Sequence, residues 1–243
     1  MIDCQGGSLL AASEFWSKAL GLPVIDPDEG GAGRYAVLGK APAGLHIEVQ
    51  MVEHESRLHL DIEADDIDAG AADLEALGAR RIGKPHGRWW VMEAPSGHRF
   101  CVVRRRERDL PSPILAPPAA ARPPSALSAL VLDCQVDDLA QALDFWSAAL
   151  QRRIASRDPD GDGRYAELQT ADGEPFLLLQ KVDHSSRVHL DIEADDPDAE
   201  VSRLQLLGAQ RLQLVKRWWL MQAPTGHRFC VVERPNRPPP DPA

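Results

Sequence analysis

The chain is written twice. Asp3-Cys4-Gln5 returns as Asp133-Cys134-Gln135, Phe15-Trp16-Ser17 as Phe145-Trp146-Ser147, and Gly33-Arg34-Tyr35-Ala36 as Gly163-Arg164-Tyr165-Ala166. The run His59-Leu60-Asp61-Ile62-Glu63-Ala64-Asp65-Asp66 recurs unchanged from His189 to Asp196. Trp89-Trp90 returns as Trp218-Trp219, and Gly97-His98-Arg99-Phe100-Cys101-Val102-Val103 as residues 226–232. The offset is 130 residues up to Ala79 and 129 afterwards, so one residue is missing from the second copy between the equivalents of Arg80 and Arg88. A repeat this long means a duplicated folding unit, and any reading of the fold has to serve both copies.

The copies are read as residues 1–104 and 127–234. Between them, residues 105–126 hold an arginine-rich start followed by Pro111, Pro113, Pro117, Pro118, Pro123 and Pro124. Proline has a fixed φ and no N–H, so this stretch is expected to be an extended, semi-rigid linker. The proline-rich tail, residues 235–243, is expected to fray. A net charge of -10, from 37 acidic against 27 basic residues, argues against coating nucleic acid or an anionic membrane. No apolar run approaches the roughly 20 residues that span a bilayer, and Met1-Ile2-Asp3-Cys4 has no basic leader character. The four cysteines fall as two equivalent pairs, Cys4 with Cys134 and Cys101 with Cys230. That pattern suggests reduced thiols in a cytoplasmic protein.

Each copy divides again. Ser8, and Asp137 or Asp138, are expected to cap helices with apolar positions Leu9, Ala12, Trp16 and Leu20, and Leu139, Leu143, Trp146 and Leu150. Strands are expected at 22–26, 33–39 and 45–52. Arg57 to Glu63 alternates strictly, the clearest strand signal in the chain. Asp66 and Asp196 cap the second helices, with Pro197 at a first-turn position where no amide bond is lost, and Gly78 stops the first of these helices. Strands near 79–84, 88–93 and 98–104 follow, the last two joined by a turn at Ala94-Pro95-Ser96-Gly97. The order strand–helix–three strands therefore occurs four times.

This order, with Phe-Trp late in the first helix, His-Leu-Asp on the fifth strand, Leu-Gly-Ala, and Pro-x-Gly before the last strand, resembles the glyoxalase-like domain of the vicinal oxygen chelate superfamily. The resemblance covers nearly everything outside linker and tail. It implies an α+β fold of two tandem domains, each of two βαβββ motifs whose mixed sheets curl into a cup. Whether motifs pair within a copy or exchange between copies is left open. In metal-using relatives, four inward-facing side chains hold a divalent cation. The aligned positions are Met1, Glu48, His59 and Cys101 in the first copy, and Val131, Leu178, His189 and Cys230 in the second. The second set is too poor in donors for Mg²⁺, Mn²⁺ or Ni²⁺. No metal is favoured; a divalent ion, if held at all, is expected in the first copy only, on Glu48, His59 and Cys101. The alternative reading of Cys101 is a small buried hydrophobe.

Strand alternation assigns the cup faces. Arg57, His59, Asp61 and Glu63 point one way and Leu58, Leu60 and Ile62 the other, with Arg187, His189, Asp191 and Glu193 repeating the first set. Asp3, Gln5, Asp133 and Gln135 join the polar face; Cys4 and Cys134 join the core. His46, Glu48 and Gln50 are replaced by Phe176, Leu178 and Gln180, so one cup is more acidic than the other. The expected ligand contacts are Glu48, Gln50, Arg57, His59, Asp61, Trp90 and Cys101, with Asp133, Gln180, Arg187, His189, Asp191 and Trp219. The competing reading is a polar network that satisfies itself internally.

These residues imply a protein that binds a small molecule in a cup-shaped cleft, without a tightly held metal, after the manner of the bleomycin-resistance relatives. Two alternatives stand beside it: a metal-dependent lyase or dioxygenase with one live site in the first copy, and a non-catalytic structural or interaction protein. A monomer is expected, its two copies forming a pseudo-dimer. No nucleic-acid or membrane partner is expected.

Overall fold

The computed structural model describes residues 1–39, 45–105, 125–159 and 161–234. Most of the expected linker and all of the tail lie outside them. The first copy runs β1 (Ile2–Gln5), α1 (Leu9–Leu20), β2 (Val24–Asp26), β3 (Tyr35–Leu38), β4 (Ile47–Val52), β5 (Arg57–Leu58), β6 (Asp61–Ala64), α2 (Ile67–Ala76), β7 (Arg80–Gly83), β8 (Trp90–Glu93) and β9 (Arg99–Arg104). The second runs β10 (Ser125–Cys134), α3 (Leu139–Ala149), β11 (Ile154–Ser156), β12 (Tyr165–Leu168), β13 (Phe176–Lys181), β14 (Arg187–Ala194), α4 (Pro197–Leu206), β15 (Gln210–Val215), β16 (Trp218–Gln222) and β17 (Arg228–Glu233). The fold is α+β with mixed sheets, as the resemblance implied.

The capping residues act as their chemistry dictates. Ser8, Asp66, Asp138 and Asp196 each accept a hydrogen bond from a first-turn amide of the helix they precede. Gly78 and Gly208, just past α2 and α4, adopt φ of +105° and +100°, where a β-carbon would be strained.

Strands pair within each copy. β1 lies parallel to β4 and antiparallel to β5; β10 lies parallel to β13 and antiparallel to β14. The last strand of each copy, β9 or β17, runs parallel to β6 or β14 and carries the outer hairpin with it. The two copies meet where Leu58 pairs with Val188.

The helical layers, by contrast, join across the copies. Arg203 on α4 donates to the carbonyl oxygens of Lys18 and Ala19 at the end of α1. Trp16, fully buried, meets Phe229 and His227 of the other copy edge-on, and Trp146 does the same with Phe100 and His98. Burying two indoles at one junction is worth several kcal/mol on the scale of large-to-small core substitutions. The strands therefore pair within a copy, while the helices behind them pack against the other copy.

One expectation needs correcting. Arg57 to Glu63 reads as a continuous strand, but it breaks into β5 and β6, while the same residues from His189 to Ala194 lie within an unbroken β14. From His59 and His189 onwards the local sequence is identical, so the difference lies in what each stretch pairs with. β14 is paired by β10 along its whole length, from Arg187 to Ala194. β1 pairs with Arg57 and Leu58 only, and Met1 exchanges backbone hydrogen bonds with His59; among the described residues, Asp61–Ala64 has a strand partner on one side alone, β9. Among the described residues no helix is long and apolar enough to cross a membrane.

Candidate functional site

The concave face of each sheet carries a row of charged side chains, and they hold one another. Asp3 sits between Gln50 on β4 and Arg57 on β5 by strand register. Its Oδ2 lies 2.8 Å from His59 Nδ1, accepts from Arg57 Nε at 3.2 Å, and lies 3.7 Å from His54 Nε2. On its far side, His59 Nε2 lies 3.1 Å from Asp61 Oδ1. The second copy repeats the pattern. Asp133 Oδ2 lies 3.0 Å from His189 Nδ1, 3.0 Å from Arg187 Nε and 3.6 Å from His184 Nε2. His189 Nε2 is 3.3 Å from Asp191 Oδ1, out of line for a hydrogen bond.

A carboxylate against each ring nitrogen decides the charge of these imidazoles. Burial alone would discharge His59, but the contacts to Asp3, Asp61 and Cys101 outweigh it and hold the ring well above its ordinary pKa. His189 is raised in the same way by Asp133, Asp191 and Cys230. Burial would likewise raise Asp3 and Asp133, yet each is held below the usual carboxylate range, first by its histidine and then by its arginine. Each cup floor is thus a buried array of alternating charge. Asp3 Oδ1 and Asp133 Oδ1 are buried and accept no hydrogen bond among the described residues.

Arg57 and Arg187 are the partly exposed members, with side chains 37% and 36% accessible. Each uses only Nε on its aspartate, which leaves the terminal nitrogens free to bond elsewhere. Gln50 donates to the Tyr35 hydroxyl at 3.0 Å, and Gln180 to Tyr165 at 3.4 Å, so both glutamines belong to the same face.

Not all of the expected contacts gather here. Trp90 and Trp219 face the other way: they pair in register with the core residues Val102 and Val231. Their indole N–H groups donate to Asp68 and Asp198 in the first turns of α2 and α4, at 2.7 and 2.8 Å. The alternation across adjacent tryptophans gives the cup side to Trp89 and Trp218. Lys216 stands over the rings of both Trp218 and Tyr165, 5.7 and 6.0 Å from their centroids, so Trp218 flanks the second cup. A doubled tryptophan cannot reveal which member faces inward without the strand register. His98 and His227, beside the glycines of the last hairpins, reach across to the opposite copy.

The metal question turns on donors. Met1, Val131 and Leu178 bring neither oxygen nor imidazole side chains to the positions where metal-using relatives hold their ion, so these residues do not fit that four-ligand site. The structure assembles a different group. His59, Asp61 and Cys101 offer ligand atoms all within 4.8 Å of one another, and His189, Asp191 and Cys230 do the same. Glu48 is not a member; its Oε1 lies 2.8 Å from His46 Nε2. The group is present in both copies, whereas the sequence pointed to the first alone. His-x-Asp on one strand face, opposite a cysteine on the parallel last strand, was the available signal. Cys101 and Cys230 are buried, and burial pushes the Cys230 thiol up.

Comparison with known proteins places this geometry. The family model of a glyoxalase-like domain matches residues 1–103 and 129–232. No curated protein sequence matches the chain. Among solved structures, the Mn(II)-bound glyoxalase from Novosphingobium aromaticivorans is 16% identical, with a TM-score of 0.57 over 96% of this chain and 80% of that one. The 2,3-dioxygenase LapB from Pseudomonas sp. KL28 is 15% identical, with a TM-score of 0.56 over 100% of this chain and 93% of that one. Homoprotocatechuate 2,3-dioxygenase from Arthrobacter globiformis is 15% identical, with a TM-score of 0.58 over 98% of this chain and 81% of that one. At such identities the likeness is one of fold. With the family model matched across both copies, the chain belongs to the glyoxalase-like domain family and carries that domain twice.

Proposed function

We propose that this is a cytoplasmic, monomeric small-molecule-binding protein that works without a tightly held metal, in the manner of bleomycin-resistance relatives. The observation that carries the reading is the contact of both His59 ring nitrogens with carboxylates, Asp3 at 2.8 Å and Asp61 at 3.1 Å. A ring so placed is stable as a cation with both nitrogens donating, and in that state it has no lone pair for a metal. What it offers a ligand is a fixed charged floor beside an arginine with unused donors. That suits a molecule with an anionic or carbonyl group, oriented by Arg57 or Arg187, with Gln50 and Tyr35, or Gln180 and Trp218, along the wall.

A panel of metabolites and antibiotics in a thermal-shift assay tests this. A ligand at 100 times its dissociation constant adds about 2.7 kcal/mol, and Arg57→Met with Arg187→Met should abolish the shift. A panel without any shift would favour the structural or interaction role.

The second reading is a metal-dependent lyase or dioxygenase, supported by the His59–Asp61–Cys101 and His189–Asp191–Cys230 groups. Imidazole, carboxylate and thiolate form a zinc-type set, and Asp3 would fix the histidine tautomer from behind. Metal content of untagged protein decides between the two. Stoichiometric metal that is lost in His59→Ala and His189→Ala replaces the first reading with the second.

A further inference from the structure

The outer hairpin of the second copy is one residue shorter than that of the first, and its tip carries a different residue. Gly87-Arg88-Trp89-Trp90 aligns with Lys216-Arg217-Trp218-Trp219. Gly87 has a φ of +69° and Lys216 one of +52°. That left-handed region favours glycine, and the first copy uses one. The second copy puts a lysine there, on a tight turn closed by the pair Val215 and Trp218. A side chain held in such backbone is a feature of sites that clamp ligands.

The position of Lys216 gives that side chain a task. Its Nζ stands 5.7 Å from the ring centroid of Trp218 on β16 and 6.0 Å from that of Tyr165 on β12. Between β12 and β16 the sheet runs through β13, β10, β14 and β17. One ammonium reaches both rings because the sheet curls round, so Lys216 bridges the mouth of the second cup. Among the described residues no carboxylate pairs with it. The hairpin lysine of the first copy, Lys84, lies on the helix side instead. It bonds Asp68 at 2.5 Å and stands 5.1 Å from the centroid of Trp90. The first cup keeps the aromatic pair, as Tyr35 and Trp89, but the tip residue aligned with Lys216 is a glycine.

We propose that Lys216 determines the specificity of the second cup, which takes a flat molecule with an acid group at each end. The inference rests on the reading of the cups as small-molecule sites. Tyr165, Gln180, Asp133 and Arg187 lie side by side across the sheet, a span of about 14 Å at the usual strand spacing. Arg187, which uses only Nε on Asp133, receives one acid group; Lys216, above Tyr165, receives the other. Leu178 and the two rings give the body between them an apolar bed, where the first cup has Glu48 in the place of Leu178. Glu167, opposite Leu178, repels an acid group placed along the middle and so confines the charges to the two ends.

Calorimetric titration of the untagged full chain with naphthalene-2,6-dicarboxylate and with 2-naphthoate tests this, since the two probes differ by one acid group. The dicarboxylate should occupy one site per chain and bind about tenfold or more tighter than naphthoate. Lys216→Gln and Lys216→Gly should remove that advantage and leave naphthoate within about twofold, while Lys216→Arg keeps most of it. Lys216→Gly should melt no lower than the parent, because glycine suits the backbone there. A lower melting point in that variant would give the lysine a structural role and overturn the proposal. So would dicarboxylate that does not bind, that fills both cups equally, or that binds Lys216→Gln as tightly as the parent. Naphthoate binding that is lost in Arg187→Met, beside dicarboxylate binding that ignores Lys216, would overturn this inference alone and leave the cups as ligand sites.

Discussion

His227 of the second copy donates from Nε2 to the carbonyl oxygen of Arg57 in the first, at 3.1 Å, and His98 makes the mirror bond to Arg187, also at 3.1 Å. Each ring is itself held from behind: Thr225 Oγ1 lies 2.9 Å from His227 Nδ1 and Ser96 Oγ 2.9 Å from His98 Nδ1. Those hydroxyls accept in turn from Trp16 and Trp146, each at 3.2 Å. A chain of three hydrogen bonds thus ties the first helix of each copy to the strand that carries the charged row of its own cup. Removing either histidine takes a donor from a strand carbonyl and an acceptor from a hydroxyl proton. We expect His98→Ala and His227→Ala each to cost about 1–3 kcal/mol in urea unfolding. Unchanged midpoints would mean that the junction does not depend on these bonds.

The same two rings set an acid limit. Burial lowers both below their ordinary value of 6.5, so the unfolded chain binds more protons than the native one just below that pH. Their contribution is present above about pH 6.5 and is lost as pH falls below it. His59 and His189 have the opposite sign. Their raised values mean a contribution that is full below pH 6.5 and lost as pH rises through the native-state value. Nitrogen NMR at pH 7.5 should find both ring nitrogens protonated in His59 and His189, and one only in His98 and His227. A neutral His59 at that pH would remove the basis of the charged floor.

Asp133→Asn should be among the most damaging conservative changes. It leaves His189, which is buried, and Arg187 without their shared counter-charge. Breaking a buried pair in this way typically costs about 3–5 kcal/mol, and His189 should then titrate lower. Calorimetry with a pH titration of the variant checks both; a loss below about 1 kcal/mol would show that the network is solvated after all.

Trp146→Ala should cost about 3–5 kcal/mol, through loss of its packing on Phe100 and Phe145. Trp146→Phe keeps most of that area and loses the bond to Ser96, so it should cost about 1 kcal/mol. Chemical denaturation of the pair separates packing from hydrogen bonding. Equal losses would assign the whole effect to the indole N–H.

The tryptophan pairs give a test of facing. Trp219→Ala removes an indole bonded to Asp198 and stacked under Arg211, whose guanidinium carbon is 5.0 Å from the ring centroid, and should lower the melting temperature. Trp218→Ala should leave stability nearly unchanged and weaken whatever thermal shift a cup ligand produces. The reverse pattern would place Trp219 in the cup.

Much of this protein is legible in its residues. The duplication, the capping serine and aspartates, and the alternating faces of the fifth strands depend on local chemistry, and the structure follows those rules except where the first copy's fifth strand breaks. The polar face of Asp3, Gln50, Arg57, His59 and Asp61 follows from alternation alone. Which member of Trp89-Trp90 faces inward, and that Asp61 rather than Glu48 joins His59 and Cys101, depend on register between strands distant in sequence. The sharing of helical layers between copies was hidden for the same reason, because Trp16 carries no mark of whether its partner is Phe100 or Phe229. The run His-Leu-Asp-Ile-Glu-Ala-Asp-Asp shows the boundary most plainly. Its first six residues, identical in both copies, lie in one continuous strand after Arg187 and in a broken one after Arg57. A strand holds its shape through the hydrogen bonds of its neighbours, and those neighbours are supplied by the rest of the chain.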